Sequence, residues 1–137
     1  MKKKLFITLI IVVLIFIIGI STYEKESFYD VYAEVEIPVT EYNFGTITYN
    51  DTINYNFKIK NTGKESLLIT RVLPNCTCTV IDYNNRIILP NNETEIKARF
   101  IPNKVRLGKN SASILVEGNF NGGVTHLKLK GFVTDIH

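Results

Sequence analysis

The sequence predicts an all-β protein: an antiparallel β-sandwich of about seven strands, preceded by an N-terminal apolar helix. Three observations carry this reading. Apolar and polar residues alternate with period two, most clearly where Ile53, Tyr55, Phe57 and Ile59 interleave with Asn54, Asn56, Lys58 and Lys60. Successive side chains of a strand point to opposite faces, so this spacing buries one face and wets the other. Turn residues interrupt the alternating runs about every ten residues, the punctuation of a sandwich, and no window shows a comparable helical stripe. The third observation is the opening segment, in which Met1, Lys2, Lys3 and Lys4 precede an apolar run from Leu5 to Ile20.

That opening segment has the composition of an export or insertion signal. Its sixteen residues, apolar apart from Thr8, span roughly 24 Å as a helix, short of a hydrocarbon core of about 30 Å. Ser21, Thr22 and Tyr23 extend it, with Tyr23 placed for the interface. Residues 1–22 are therefore read as a membrane anchor, with Leu5, Ile10, Leu14 and Ile18 in its apolar body. The alternative is a signal peptide cleaved before Thr22, since Gly19 and Ser21 are small residues two apart. No cysteine follows the run, which argues against N-terminal lipidation. Under the positive-inside rule both readings put the rest of the chain outside the cytoplasm. The expected location is the cytoplasmic membrane with the C-terminal domain on the periplasmic or extracellular side, or, after cleavage, a secreted or periplasmic domain.

Residues 23–39 read as an acidic tether. From Glu24 to Glu41 six acids stand against Lys25 alone, whereas from Tyr42 onward seven acids face twelve bases, leaving about +5 on a domain whose charges are expected to be solvated. A weak basic surface for anionic envelope polymers or lipid headgroups is the sharper alternative. Nothing resembles a nucleic-acid-binding motif.

Residues 40–137 have the size of one domain. Strands are expected near 40–47, 52–60, 66–73, 76–81, 86–89, 93–101, 109–118 and 124–134, with one of the short central ones irregular. Asn61-Thr62-Gly63, Pro74-Asn75, Asn84-Asn85, Pro90-Asn91-Asn92, Pro102-Asn103 and Asn121-Gly122-Gly123 separate them. Asn121-Gly122 is the clearest hairpin turn, because both residues tolerate positive φ.

The only two cysteines, Cys76 and Cys78, lie in Cys76-Thr77-Cys78-Thr79. On a regular strand their sulfurs would share a face, with Cα atoms roughly 6.5 to 7 Å apart, at the outer limit for a disulfide. A direct bond thus requires a local bend. Export places the pair in an oxidising space, which favours a local disulfide or inert core thiols. The competing readings are a redox-active dithiol, a soft-metal site for Cu(I), and an intermolecular disulfide. A zinc site would need two further ligands, and only His126 and His137 exist. No G-x-S-x-G or similar hydrolytic setting is present, and Glu93 and Glu95, two apart, read as a solvated edge. No enzyme, cofactor or small-molecule substrate is expected.

The ordered segments Tyr42-Asn43-Phe44-Gly45-Thr46-Ile47, Phe57 to Asn61 with Gly63 and Leu67 to Ile69, Cys76-Thr77-Cys78-Thr79, Leu89-Pro90, and Leu127, Leu129 with Gly131 resemble the bacterial domain-of-unknown-function family 1573 over about residues 40–134. Thr77 stands where that family has glycine, Asn91 replaces the glycine after proline, and Asn43 replaces an aspartate. The resemblance implies an exported or membrane-attached immunoglobulin-like domain and supplies no activity. The function expected is a non-enzymatic envelope protein acting as an interaction or assembly module for a protein partner, with an edge strand as docking surface. The alternative is a thiol redox or Cu(I)-binding protein working through Cys76 and Cys78.

Overall fold

The computed structural model describes residues 3, 7, 10–16, 32–84 and 87–135. The chain divides into two compact units, Met1–Asp30 and Val31–His137. In the first, residues 10–16 are helical, with Ile10 and Leu14 about half exposed. Among the described residues no helix is long and apolar enough to cross a membrane. Leu5, Ile18 and much of the run read as an anchor lie outside the described residues, so the expected N-terminal apolar helix is described only as this short piece.

Among the described residues the second unit holds nine strands rather than about seven: β1 (Val35–Glu36), β2 (Glu41–Thr48), β3 (Ile53–Asn61), β4 (Leu67–Pro74), β5 (Thr79–Asp82), β6 (Ile87–Ile88), β7 (Glu93–Phe100), β8 (Gly108–Gly118) and β9 (Val124–Thr134). They form two sheets, ordered β1-β3-β7-β5 and β2-β9-β8-β4-β6. The residues assigned inward by alternation make the core between them. Phe57, Ile59, Ile96, Ala98 and Phe100 from one sheet pack on Leu67, Ile69, Ala112, Ile114, Val116, Leu127, Leu129 and Val133 from the other, all nearly inaccessible.

Three departures from the sequence expectation have physical causes. β1 lies in the segment read as tether: it pairs with the end of β3, and Ala33 before it is buried. Its signal was present, since Ala33, Val35 and Ile37 alternate with Glu34 and Glu36, but the acid-rich composition obscured it. The expected strand 76–81 begins only at Thr79, because residues 75–78 turn. Finally, β2 runs parallel to β9 while the other strand pairs are antiparallel. β2 is followed by β3 in the opposite sheet, so no tight hairpin fixes its direction against β9.

The parallel pair rests on a close approach. Its register shifts between Asn43 and Thr46, where Gly45 adopts φ +71° and donates its N–H to Asn43 Oδ1 at 3.0 Å. This bulge turns the Phe44 ring onto Phe100, with centroids 5.2 Å apart, and over Gly131 of β9. A Cβ at position 131 would fall within the ring and 2.5 Å from the Gly45 carbonyl oxygen. Gly131 is thus required by the space Phe44 fills, and the Phe44-Gly45 and Gly131 motif residues form one packing unit. Asn61, fully buried, closes the β3–β4 turn: its amide donates to Glu65 O at 2.7 Å and Ile88 O at 2.9 Å, and its Oδ1 accepts from Gly63 N at 3.1 Å. Every polar atom of that side chain is satisfied, as burial demands.

Overpacking a tight site typically costs about 1 to 3 kcal/mol. Gly131→Ala is expected to destabilise the domain by that amount in urea unfolding, and Gly45→Ala, where a Cβ meets nothing within 4 Å, by only the strain of a left-handed backbone, about 1 kcal/mol.

Candidate interaction site at the disulfide corner

Cys76 and Cys78 form a disulfide, with Cα atoms 5.3 Å apart. The separation is shorter than a regular strand gives, because the pair sits in a turn, and the bend that a direct bond requires is present. In this oxidised form neither sulfur is a thiolate. Thr79 places its hydroxyl 3.4 Å from Cys76 Sγ and 3.8 Å from Cys78 Sγ.

The turn is also the corner at which the chain leaves one sheet for the other, from β4 to β5. Both sheets hold it. Asn75 donates its backbone N–H to Ser113 O of β8 at 2.8 Å, and its Oδ1 accepts from Ser113 N at 2.9 Å. On the other side Cys78 O accepts from Ile101 N, just past β7, at 2.8 Å. Among the described residues no group of three or more His, Cys, Asp or Glu side chains is placed to hold a metal. His126 contacts Ser113 Oγ at 3.3 Å on the outer face, and His137 lies outside the described residues. Glu93 and Glu95 face Lys58 and Asn56 across the β3–β7 pair, exposed to solvent on a face of the sheet's two central strands rather than on an edge strand.

Two concavities flank the corner. The first is the seam between the sheets, about 180 Å3, lined by Ile69, Val72, Ile81 and Tyr83 with Thr70 and Arg71. β6 pairs with β4 only at Leu67 and Leu68; among the described residues no strand pairs with the outer edge of β4 from Ile69 to Pro74. β5 is likewise the last strand of its sheet. On the opposite side of the sandwich, where β1 and β2 end their sheets, aromatic rings stack between the sheets, Tyr42 on Tyr55 at 3.9 Å and Phe44 on Phe100. Arg71 holds the seam's outer wall with a two-pronged ion pair to Glu117 on β8, at 2.8 and 2.6 Å.

The second concavity, about 560 Å3, lies between the corner and the segment joining β7 to β8, and is lined by Thr77, Cys78, Ile101, Asn103, Val105, Arg106, Leu107, Lys109 and Asn110. Lys104–Arg106 forms a 3₁₀ turn whose start is fixed by Asn103 Oδ1 accepting from Val105 N at 3.1 Å. Asn110, almost fully buried, donates to Arg106 O at 2.6 Å and Gly108 O at 3.0 Å. Sequence reasoning placed a turn at Pro102-Asn103 and gave this segment no functional weight; the signal lay in Lys104-Val105-Arg106, an aliphatic residue between two cations.

Comparison with known proteins places the fold in a lineage. A family described as protein of unknown function, DUF1573, matches residues 35–133. The chain belongs to the DUF1573 family. No match to a curated protein was found. Among solved structures, this DUF1573 chain is similar to a protein of unknown function from Porphyromonas gingivalis, with TM-score 0.65 and 17% identity over 74% of this chain and 47% of that one. It is also similar to the ASH/PapD-like domain 7 of human CEP192, with TM-score 0.60 and 12% identity over 83% and 94% of the two chains. A third likeness is to the CsuC–CsuE chaperone–tip adhesion subunit pre-assembly complex of Acinetobacter baumannii Csu pili, with TM-score 0.51 and 12% identity over 74% and 58%. The chain spans about half the length of the Porphyromonas protein. These likenesses show an immunoglobulin-like, PapD-like sandwich.

Closing a ring of three residues removes little unfolded-state entropy, worth roughly 1.5 kcal/mol in the chain-entropy account. Replacing both Cys76 and Cys78 by alanine is expected to lower unfolding free energy by about that much and to leave a folded domain by circular dichroism, since the hydrogen bonds of Asn75 and Cys78 hold the corner independently. A second expectation concerns acid. The Arg71 guanidinium lowers the Glu117 pKa from its ordinary 4.5, and the Lys130 ammonium does the same for Glu41. The Thr48 N–H and hydroxyl lower Asp51 from 3.8. Groups depressed in the fold contribute stability that is complete above their unfolded values and lost as pH falls through the folded ones. The urea midpoint should thus fall on acidification below about pH 5, and Glu117→Gln with Asp51→Asn should flatten that fall.

Proposed function

We propose that this DUF1573 protein is a membrane-attached or exported, non-enzymatic envelope protein whose sandwich receives an extended segment of another protein at the open β4–β5 seam. The single observation that carries the reading is the seam itself, the edge of β4 from Ile69 to Pro74 that no strand among the described residues pairs, beside a small slot of mixed polarity. Backbone groups along Ile69–Pro74 supply the ladder bonds of an added strand, and Ile69, Val72, Ile81 and Tyr83 offer a slot for its inward side chains. The occupant fitted to this slot is an extended segment with apolar residues at alternate positions. Compartment is supported by the lysines before the Leu5 to Ile20 run, and by the oxidised cysteine pair, which is at home outside the cytoplasm. The disulfide is on this reading a brace for the seam's closed end.

Two measurements test it. In intact cells the domain should be degraded by externally added protease while the N-terminal run stays with the membrane pellet, or the mature chain should start at Thr22 in the exported fraction. A full-length chain found in the cytosol would sink the localisation. Photo-crosslinkers placed at Leu73 on β4 and Val80 on β5, both about 44% exposed, should trap the same partner polypeptide, and one at Val124 on the far hairpin should not. Crosslinking independent of position would dismiss the seam.

A further inference from the structure

The Cys76–Cys78 bond closes a ring of only three residues, and so short a ring constrains the unfolded chain weakly. Linkage is reciprocal: a fold favours a disulfide over its open form by the same factor by which the disulfide stabilises the fold. For three residues that factor is roughly tenfold, against something on the order of a thousandfold for a bond that closes a long loop. The domain therefore does little to hold this bond shut. The backbone around it is fixed without the sulfurs, by the two Asn75 bonds to Ser113, by Thr79 N donating to Cys76 O at 3.3 Å, and by Ile101 N donating to Cys78 O. Opening the bond leaves two thiols side by side in a folded corner.

The two cysteines have different surroundings. Thr77 between them is exposed and Cys76 is partly exposed, whereas Cys78 is only 7% exposed. Access helps decide which sulfur of a disulfide is attacked, so an incoming thiolate reaches Cys76 and Cys78 is the sulfur that leaves. Cys78 lines the cleft of about 560 Å3, whose charged lining residues are Arg106 and Lys109; no carboxylate is among them. Positive charge beside a sulfur stabilises its thiolate and speeds its departure. The Thr79 hydroxyl, 3.4 Å from Cys76 Sγ and 3.8 Å from Cys78 Sγ, is placed to donate to either sulfur when it carries the charge.

We propose that Cys76–Cys78 is a thiol–disulfide exchange site at which a dithiol reductant opens the corner of the folded domain. A thiolate of the reductant attacks Cys76 Sγ. The sulfur–sulfur bond breaks, and its electron pair leaves on Cys78 Sγ, which takes up a proton. The second thiol of the reductant then loses its proton and attacks the reductant's own sulfur in the mixed disulfide, releasing Cys76 as a thiolate that is protonated in turn. Two electrons and two protons pass to the pair, and the reductant ends as a disulfide.

This goes beyond the docking reading and does not depend on what occupies the seam. A disulfide that only braces a fold behaves differently in one measurable way: a reductant reaches it when the domain opens, so its reduction follows unfolding. An exchange site is reduced in the native state.

The test treats the full chain, in neutral detergent micelles, with dithiothreitol, quenches with a maleimide and reads intact mass. Two maleimides should be added to protein whose circular dichroism is unchanged, at a rate that stays flat as urea is raised below the unfolding transition. A rate that climbs with urea alongside unfolding, or a domain that unfolds when reduced, would overturn the proposal. Arg106→Gln with Lys109→Gln should slow reduction about threefold, the usual response of exchange to a tenfold change in leaving-group acidity; a bond opened only by unfolding would not respond when the variant's urea midpoint matches the native one. With one cysteine left, Cys78→Ser should form a mixed disulfide with oxidised glutathione at Cys76 faster than Cys76→Ser does at Cys78, and the reverse order would overturn the direction of attack. A reduced Cys-X-X-Cys protein in place of dithiothreitol separates the sources of the dithiol: faster reduction at equal concentration assigns the reductant to a protein, slower reduction to a small molecule. Crosslinking at Leu73 and Val80 reads the seam independently, so failure of one reading is told apart from failure of the other.

Discussion

The constraint on which the rest of the domain depends is the passage of the chain from one sheet to the other at residues 75–78. β4 and β5 belong to different sheets, and four residues must turn the backbone across the core without leaving its polar groups unpaired. They do so by anchoring to both sheets at once, Asn75 to Ser113 of β8 and Cys78 to Ile101 beyond β7. The Cys76–Cys78 bond shortens the Cα separation to 5.3 Å within this bend. A regular strand through these residues would leave the β4 and β5 edges diverging, and neither concavity beside the corner would be defined.

The same constraint explains the asymmetry of the sandwich. On the β2–β3 side the sheets are joined by large aromatic rings, Tyr42 against Tyr55 and Phe44 against Phe100, with Gly131 leaving room for the Phe44 ring. Aromatic pairs combine a large buried area with a preferred geometry, so they fix how the two sheets face each other on this side. On the β4–β5 side the sheets meet only through the corner and a row of aliphatic residues and Tyr83. β6 covers just two residues of β4. An uncovered edge is a hazard for a soluble protein unless it is short, bulged or occupied, and β4 carries both a register shift between Ile69 and Arg71 and a terminal Pro74. Those features blunt the edge against indiscriminate pairing.

Most of the sandwich was legible from residue order, and the reasons are local. Ile53 to Ile59 alternate so regularly that only a half-buried strand accommodates them, and Phe57 and Ile59 are indeed nearly inaccessible. Asn121-Gly122-Gly123 marks a hairpin because positive φ is cheap there, and Gly122 and Gly123 both adopt it. What escaped was non-local or too short to carry a pattern. β1 has two residues, and only its pairing with Lys60 and Asn61 makes it a strand. The parallel sense of β2 is set by the far end of the chain. The cysteine pair was legible as a pair and as requiring a bend, yet the function of that bend as the crossing between sheets follows from strand order, which no spacing of residues encodes. The cleft was hidden for a related reason: Ile101, Val105 and Lys109 converge with Thr77 and Cys78 only once the corner is formed.

One short turn thus serves two surfaces. The strands it joins carry the seam, and Thr77 and Cys78 of the turn line the cleft. Because Asn75 and Cys78 hold the backbone by hydrogen bonds independent of the sulfurs, reduction leaves the turn's attachment to each sheet while freeing the 76–78 ring. The disulfide then acts on the precision of the two surfaces more than on whether the domain folds. The core residues thus specify the sandwich, and the Cys76-Thr77-Cys78 corner specifies how β4 passes to β5.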